Sequence, residues 1–280
     1  MPATEVLTLA GHEVDALSIG GIETCIHFPR LRLAFDIGRC PESVVARDRI
    51  LFTHAHMDHM AGVAWHCATR SLRGMGPPTY VVPEENVEDF ERMFEAWRAL
   101  DRSDLEHHTV PLAPGGEFQL SDHLVARPFR APHTAPCQGY ALWARRHKLK
   151  PELADLPGPE IQRRRESGEA ITDLLEVPEV VFTGDTRIDV FDSEPVVRKA
   201  RLLVMEITML DERVSVEKCR RHGHVHLDEV VERAELFENE AILFTHFSAR
   251  YRAREIVEIL DRRLPAALRE RVTPLVRGFR

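Results

Sequence analysis

From Leu31 to Phe35 the chain is apolar but for Arg32, and the run stops at Asp36-Ile37-Gly38, the pattern of a buried strand ending in a turn. Ile50-Leu51-Phe52 is a second such run, ending at Thr53. The period then changes. Between Glu84 and Leu100 the apolar residues Val87, Phe90, Met93, Phe94 and Trp97 recur at three- and four-residue intervals, which predicts an amphipathic helix with this stripe in the core. Val110 to Ala144 reads as strand-rich, a polar segment follows, and a second αβ half is expected from Val180 onward. In that half Val180–Phe182, Leu203–Glu206 and Ile242–Phe244 read as strands, Asp228–Phe237 and Ala253–Leu264 as helices, and Val272–Val276 as a last short strand. No long linker and no sequence repeat interrupts the alternation, so any symmetry between halves must be structural.

The strand at Ile50 runs straight into His54, His56, Asp58 and His59. A strand sends alternate side chains to opposite faces, so it cannot aim this many polar groups one way, and the chain must leave the sheet here. Imidazoles and a carboxylate at this density suit a zinc-type divalent cation. Four ligands so close in sequence would be strained around one ion; giving His54 and His56 to one metal and Asp58 and His59 to a neighbour relieves that and predicts a two-metal site. Asp36, at the end of the earlier strand, either supports a ligand histidine or closes the turn before Gly38.

The 280 residues could form one large α/β domain or two ordinary ones, and 44% hydrophobic with 29% charged residues fits a globular protein with a substantial core. Five cysteines, odd in number, far apart and never in CxxC spacing, read as reduced thiols and not as a disulfide frame. The start MPATEVLTLAGHEV has no basic leader and nothing downstream reaches the length of an apolar membrane span, so the expected location is the cytoplasm.

The pattern HxHxDH after an apolar strand resembles the signature of the metallo-β-lactamase superfamily. That resemblance implies an α+β fold, the four-layered αβ/βα sandwich, over one domain spanning residues 1–280. It also implies further ligands just past later strands, and His133 in FRAPHTAPCQGY, Asp185 in VVFTGDTR and His246 in AILFTHFSARY occur in the required order. The residues outside that set point to one branch. LVMEIT, with Glu206, and RHGHVHL, with His224, look like the EAT-type and HST-type motifs of ribonuclease Z, and FTHFSARY is similar to that branch's HFSxRY. The segments LSIGG, FDIGRCP, FTGDT and HFSARY resemble in particular the short, 280-residue form found in plants.

The resemblance to ribonuclease Z implies a binuclear metal-dependent endoribonuclease. It would remove the 3′ trailer of precursor tRNA by hydroxide attack on the phosphodiester after the discriminator nucleotide. His54, His56 and His133 would hold one zinc ion, Asp58, His59 and His246 the other, and Asp185 would bridge them; manganese or iron would suit the same donors. Asp58 would orient or deprotonate the attacking water, and Glu206 with His224 would supply the proton for the departing oxygen. Glu206 also has a plainer reading as a strand-end charge, and His224 or His226 as a helix cap. Ser248 and Arg250 would grip phosphate. The third position of the HST-type motif is His226, and the EAT-type motif reads Glu206-Ile207-Thr208. A homodimer is the family's assembly.

The formal charge of −8 opposes an RNA partner, but charge is not uniform. From Arg145 to Arg165 seven cations face three acids, a net of +4. In ribonuclease Z this interval carries an arm that clamps tRNA, which makes the segment at about 145–170 a short arm-like insertion with Gly158-Pro159 as its glycine-proline motif and Arg163 and Arg164 as RNA contacts. Two other readings share part of the pattern. A different hydrolase of the superfamily, a small-molecule phosphodiesterase, lactonase or thioesterase, would keep the ligands without needing Glu206, His224 or the arm. A non-catalytic RNA-binding protein on the same fold would be expected to lose ligands, and all seven positions are filled.

Overall fold

The computed structural model describes residues 4–280. Among the described residues fourteen strands form two seven-stranded sheets of identical plan. The first holds β1 (Glu5–Leu9), β2 (His12–Ile19), β3 (Glu23–Phe28), β4 (Leu33–Phe35), β5 (Arg49–Leu51), β6 (Thr79–Pro83) and β7 (His108–Leu112), in that spatial order. The second holds β8 (Phe118–Ser121), β9 (Leu124–Arg130), β10 (Gln138–Leu149), β11 (Thr172–Phe182), β12 (Leu202–Glu206), β13 (Ala241–Thr245) and β14 (Val272–Pro274), again in sequence order across the sheet. In each, three antiparallel pairings are followed by three parallel ones. The halves are thus related in topology although not in sequence.

Parallel neighbours need crossovers, and the crossovers place helices on the outer faces. On the first sheet these are α1 (Met57–Met60), α2 (Val63–Leu72) and α3 (Val87–Asp101), the last turning Phe90 and Phe94 onto Phe52 and Tyr80. Beyond α4 (Gly158–Glu166), the second sheet carries α5 (Asp189–Ser193), α6 (Pro195–Lys199), α7 (Val216–Arg221), α8 (Leu227–Glu232), α9 (Ala253–Arg263) and α10 (Ala266–Arg269). Between the sheets lies a third apolar layer, in which the Phe35 ring meets those of Phe28, Tyr140 and Phe182. The result is the αβ/βα sandwich.

Several predicted boundaries move. The second half begins at Phe118 rather than Val180, because the strand-rich middle is split: β7 closes the first sheet and β8 opens the second. Period-two patterns show strands but not which sheet they join. The helix expected over Asp228–Phe237 breaks at Arg233 into α8 and a 3-10 turn at Ala234–Leu236. The last strand stops at Pro274, which has no backbone N–H to extend a ladder. The polar segment after Ala144 is not an independent loop. β10 continues to Leu149, paired with Thr172 of β11, so residues 150–171 including α4 cap a long hairpin.

The ladder also changes the charge of this region. Over 145–180 the seven cations face eight acids, since Glu166, Glu169, Asp173, Glu176 and Glu179 join the three already counted, a net of −1. Arg145 pairs with Glu117 and Glu176, Arg146 with Glu179, and Arg163 and Arg164 with Glu160. The +4 therefore belongs to a stretch of sequence, not to the folded arm. Lys148, Lys150 and Arg165 form no ion pair among the described residues.

Candidate metal centre

Side chains from both sheets meet where the carboxyl ends of the parallel strands face one another, the place where open α/β sheets gather ligand-binding loops. After β5 the chain stays extended through His56, which starts α1 as its N-cap, so Asp58 and His59 project from one helical turn. His133 lies between β9 and β10, Asp185 just past β11, Glu206 at the end of β12 and His246 just past β13. Asp36 and His246 have positive φ (52° and 59°), which turns the chain sharply at the strand ends. Gly184 also has positive φ, and a Cβ there would lie 2.8 Å from the Cβ of Thr53, so only glycine lets the loop bearing Asp185 close on the other half.

All seven predicted ligand residues come together. Donor atoms of His54, His56, His133 and Asp185 lie within 4.8 Å of one another, as do those of Asp58, His59 and His246. Asp185 lies between the groups: its Oδ1 is 3.3 Å from His59 Nε2, and its Oδ2 is 3.4 Å from His246 Nε2 and 3.8 Å from His54 Nε2. A third grouping joins His224 to Asp185 and His246.

Three of the rings are oriented by the nitrogen that faces away from the cluster. His59 Nδ1 donates to Asp36 Oδ2 at 2.8 Å, His133 Nδ1 donates to the Gly223 carbonyl at 2.9 Å, and His246 Nδ1 lies 3.0 Å from Thr208 Oγ1. Asp36 also accepts from the N–H and hydroxyl of Thr53, both at 2.8 Å, so it orients His59, a predicted ligand, as well as ending its strand. The roles of Thr208 and Gly223 were not visible beforehand; the signal for Thr208 was its place two residues past Glu206 at a strand end.

This donor set fits a divalent cation. His54 Nε2 and His59 Nε2 are buried without a hydrogen-bond partner, a cost that a bound cation would remove. Burial holds His54, His56 and His133 below the usual imidazole range, so they are neutral and able to ligate. Burial opposes a charge on His59 too, but Asp185 and Asp36 outweigh it and push the ring well up. Such an excess of carboxylate around a histidine is charge that a cation would balance.

Glu206 is buried and fully engaged. Its Oε1 accepts from Thr186 N–H and from His224 Nδ1, both at 2.9 Å, and its Oε2 accepts from the Thr208 hydroxyl at 2.6 Å. Burial disfavours a charged His224, yet the Glu206 carboxylate prevails and raises this imidazole to about 9. His226 takes the plainer role weighed for it: it caps α8, its Nδ1 accepting from Asp228 N–H at 3.1 Å.

His224 and His246 line a cleft of about 460 Å³ with Ser248, Arg250 and Lys218. Ser248 is buried there, bridged to Gly20 of the first sheet, while Arg250 is exposed. Gly158, Pro159 and Arg163 are exposed on α4, with Arg164 half-buried. They are far from the cluster: β10 leaves the site at Gln138 and, at roughly 3.3 Å per residue, its far end lies about 35 Å away.

The chain matches the profile of the Beta-lactamase superfamily domain over residues 31–247. It is 45% identical to tRNase Z TRZ1 of Arabidopsis thaliana over 100% of both chains. It is 37% identical to the chloroplastic tRNase Z TRZ2 of the same plant, over 97% of this chain and 77% of that one. Among solved structures, YhfI from Bacillus subtilis superposes with TM-score 0.60 at 14% identity, covering 94% of this chain and 95% of that one. Human short-form tRNase Z gives 0.55 at 19%, covering 94% and 89%, and these two likenesses speak for the fold alone. A full-length relative at 45% identity, on a fold and a His/Asp cluster of this kind, places the chain in the ribonuclease Z (tRNase Z) family of the metallo-β-lactamase superfamily.

Proposed function

We propose that this protein is a metal-dependent endoribonuclease that removes the 3′ trailer of precursor tRNA, hydrolysing the phosphodiester after the discriminator nucleotide. The observation that carries the reading is the Glu206–His224 pair, joined at 2.9 Å and set against the His/Asp cluster. Metal-assisted hydrolysis needs the cluster; a leaving group as basic as a ribose 3′ oxygen also needs a proton, and this pair is built to give one. Two zinc ions, with manganese or iron as substitutes, would be held by His54, His56 and His133 and by Asp58, His59 and His246, with Asp185 between. When bound they lower the pKa of a water and offset the charge that grows on the phosphate.

The remaining work falls to the chain. Asp58, fixed by the Gly21 N–H at 2.9 Å and held below the usual carboxylate range by His246 and His59 against the pull of burial, accepts the proton of the attacking water. His224, oriented through Nδ1 by Glu206, donates from Nε2 to the departing 3′ oxygen. Ser248 and Arg250 hold phosphate in the cleft beside it. Gly158, Pro159, Arg163 and Arg164 form the tip of an arm that touches tRNA away from the cut. Its near-neutral charge makes this a contact of shape and a few cations.

The enzyme acts as a cytoplasmic homodimer. Trp65 and Trp97, about half exposed, border an apolar hollow of about 230 Å³ between α2 and α3, a surface suited to a second copy. No helix among the described residues is long and apolar enough to cross a membrane.

The test is cleavage of a 3′-extended precursor tRNA by metal-replete protein beside Asp185→Ala. One cut after the discriminator base, lost in the variant, is expected. No cut, with bis(p-nitrophenyl) phosphate still hydrolysed, would leave the metal centre and remove the tRNA assignment.

A further inference from the structure

A second cleft, of about 410 Å³, reaches the cluster at a different member, His133, and shares no lining residue with the cleft of His224 and Arg250. Its walls come from the Ala131–Cys137 loop and from Arg187, tied together by the Arg187 N–H on the Pro132 carbonyl at 2.8 Å. Arg130 and Arg187 both line it. Many arginines of this acidic protein are ion-paired, Arg201, Arg220 and Arg233 among them, but these two have no ion pair among the described residues. Arg187 is only partly exposed, and its Nε is buried without a hydrogen-bond partner. An arginine with no carboxylate partner among the described residues, held against a cavity wall, calls for an anion from outside. Glu84 and Glu85, both exposed, stand at the rim of the same cleft.

The direction of the RNA follows from the chemistry. The 3′ oxygen that leaves belongs to the mature tRNA and must lie beside His224, which lines only the first cleft. The other product carries the new 5′ phosphate and must leave by another side of the cluster. We propose that the Arg130–Arg187 cleft is the trailer subsite, in which Arg187 grips the backbone phosphate next after the scissile one, in a single-stranded trailer of any sequence. This assignment rests on the tRNA-processing reading above. The hollow has the size of a small-ligand pocket and so takes only the first nucleotides. Glu84 and Glu85 repel phosphates beyond them, so the benefit of trailer length ends within a few residues.

The experiment compares precursors with one-nucleotide and three-nucleotide trailers. A one-nucleotide trailer has no phosphate beyond the scissile one. Arg187→Ala is expected to raise KM about ten-fold for the longer trailer and to leave the shorter one unchanged, the size of one charge-assisted contact. Arg187→Lys is expected to recover part of the loss, and Arg250→Ala to raise KM equally for both. Direct binding of a fluorescent 5′-phosphorylated trinucleotide, read by anisotropy, should weaken in Arg187→Ala and recover in part in Arg187→Lys. An equal rise for both trailers in Arg187→Ala, or trinucleotide binding unchanged by it, would overturn the proposal. If no precursor tRNA is cut, the tRNA reading fails instead, and the trinucleotide titration still decides whether this cleft binds a 5′-phosphorylated strand.

Discussion

Asp36 is fully buried and spends its carboxylate on two bonds from Thr53 and one from His59. Asp36→Asn keeps the volume but replaces one acceptor oxygen with a donor, which turns the His59 ring out of place. Metal affinity is expected to fall 10- to 100-fold, read by competition with a chromogenic chelator while circular dichroism reports an intact fold. His66 is buried away from the site, with Nδ1 2.8 Å from the Tyr80 hydroxyl. Burial, helped by Arg70, lowers it to about 4. Between the unfolded value near 6.5 and about 4 the unfolded chain binds the extra proton, so this stability is present above pH 6.5 and lost as pH falls toward 4. The loss is about 3 kcal/mol. His66→Gln should flatten that part of the urea-melt profile against pH, and an unchanged slope would assign the acid sensitivity elsewhere. Asp36 was legible in the sequence as one of two alternatives, because a carboxylate at a strand end looks the same whether it closes a turn or holds a ring.

Among elements, the β10–β11 hairpin shows how pairing redistributes charge. Glu176 accepts from Arg127 at 2.6 and 2.8 Å and from Arg145 at 2.9 Å, which holds its carboxyl down at about 2. Glu176→Ala leaves Arg127 and Arg145 sharing Glu117 alone and is expected to cost about 1 kcal/mol, less in high salt, because the cluster is partly solvated. Replacing residues 150–171 with a short turn keeps the ladder up to the Leu149–Thr172 pair, so the melting temperature should hardly move. If this tip contacts tRNA, KM for precursor tRNA rises while hydrolysis of bis(p-nitrophenyl) phosphate is unchanged; a KM equal to wild type would remove the arm's role. Helix α3 was readable because its stripe repeats at helical spacing, and Phe90 and Phe94 are indeed buried. Trp97 belongs to the same stripe but is about half exposed, since the stripe is wider than the surface it covers.

At the scale of the molecule, the site depends on two sheets being held at one spacing. The Tyr140 hydroxyl of the second sheet donates to the Phe52 carbonyl at 2.8 Å, and Gln138 N–H donates to the Thr53 carbonyl at 3.0 Å, just behind the histidines of the cluster. Tyr140→Phe strands a buried carbonyl and should cost about 1–3 kcal/mol, with weaker metal binding as the sheets lose register. Differential scanning calorimetry with and without zinc separates the two effects. The hollow between α2 and α3 belongs to this scale too. Trp65→Glu with Trp97→Glu should give a monomer by light scattering, whereas a wild type that is already monomeric would end the dimer proposal.

Much of this protein was determined by local sequence. Apolar runs that end in His or Asp point to strands and to candidate ligands at their tips, because ligand chemistry requires particular side chains and a strand end is where the backbone is free to turn. The motifs around Glu206 and His224 were legible only through their resemblance to those of ribonuclease Z, since each residue alone has a plainer reading. What only the tertiary structure decided depends on residues distant in sequence. The split of the strand-rich middle between two sheets, the acids of β11 that cancel the basic stretch of β10, and the carbonyl of Gly223 that orients His133 all come from pairing across the fold. So does the isolation of Arg187, since an arginine is unpaired only relative to everything folded around it.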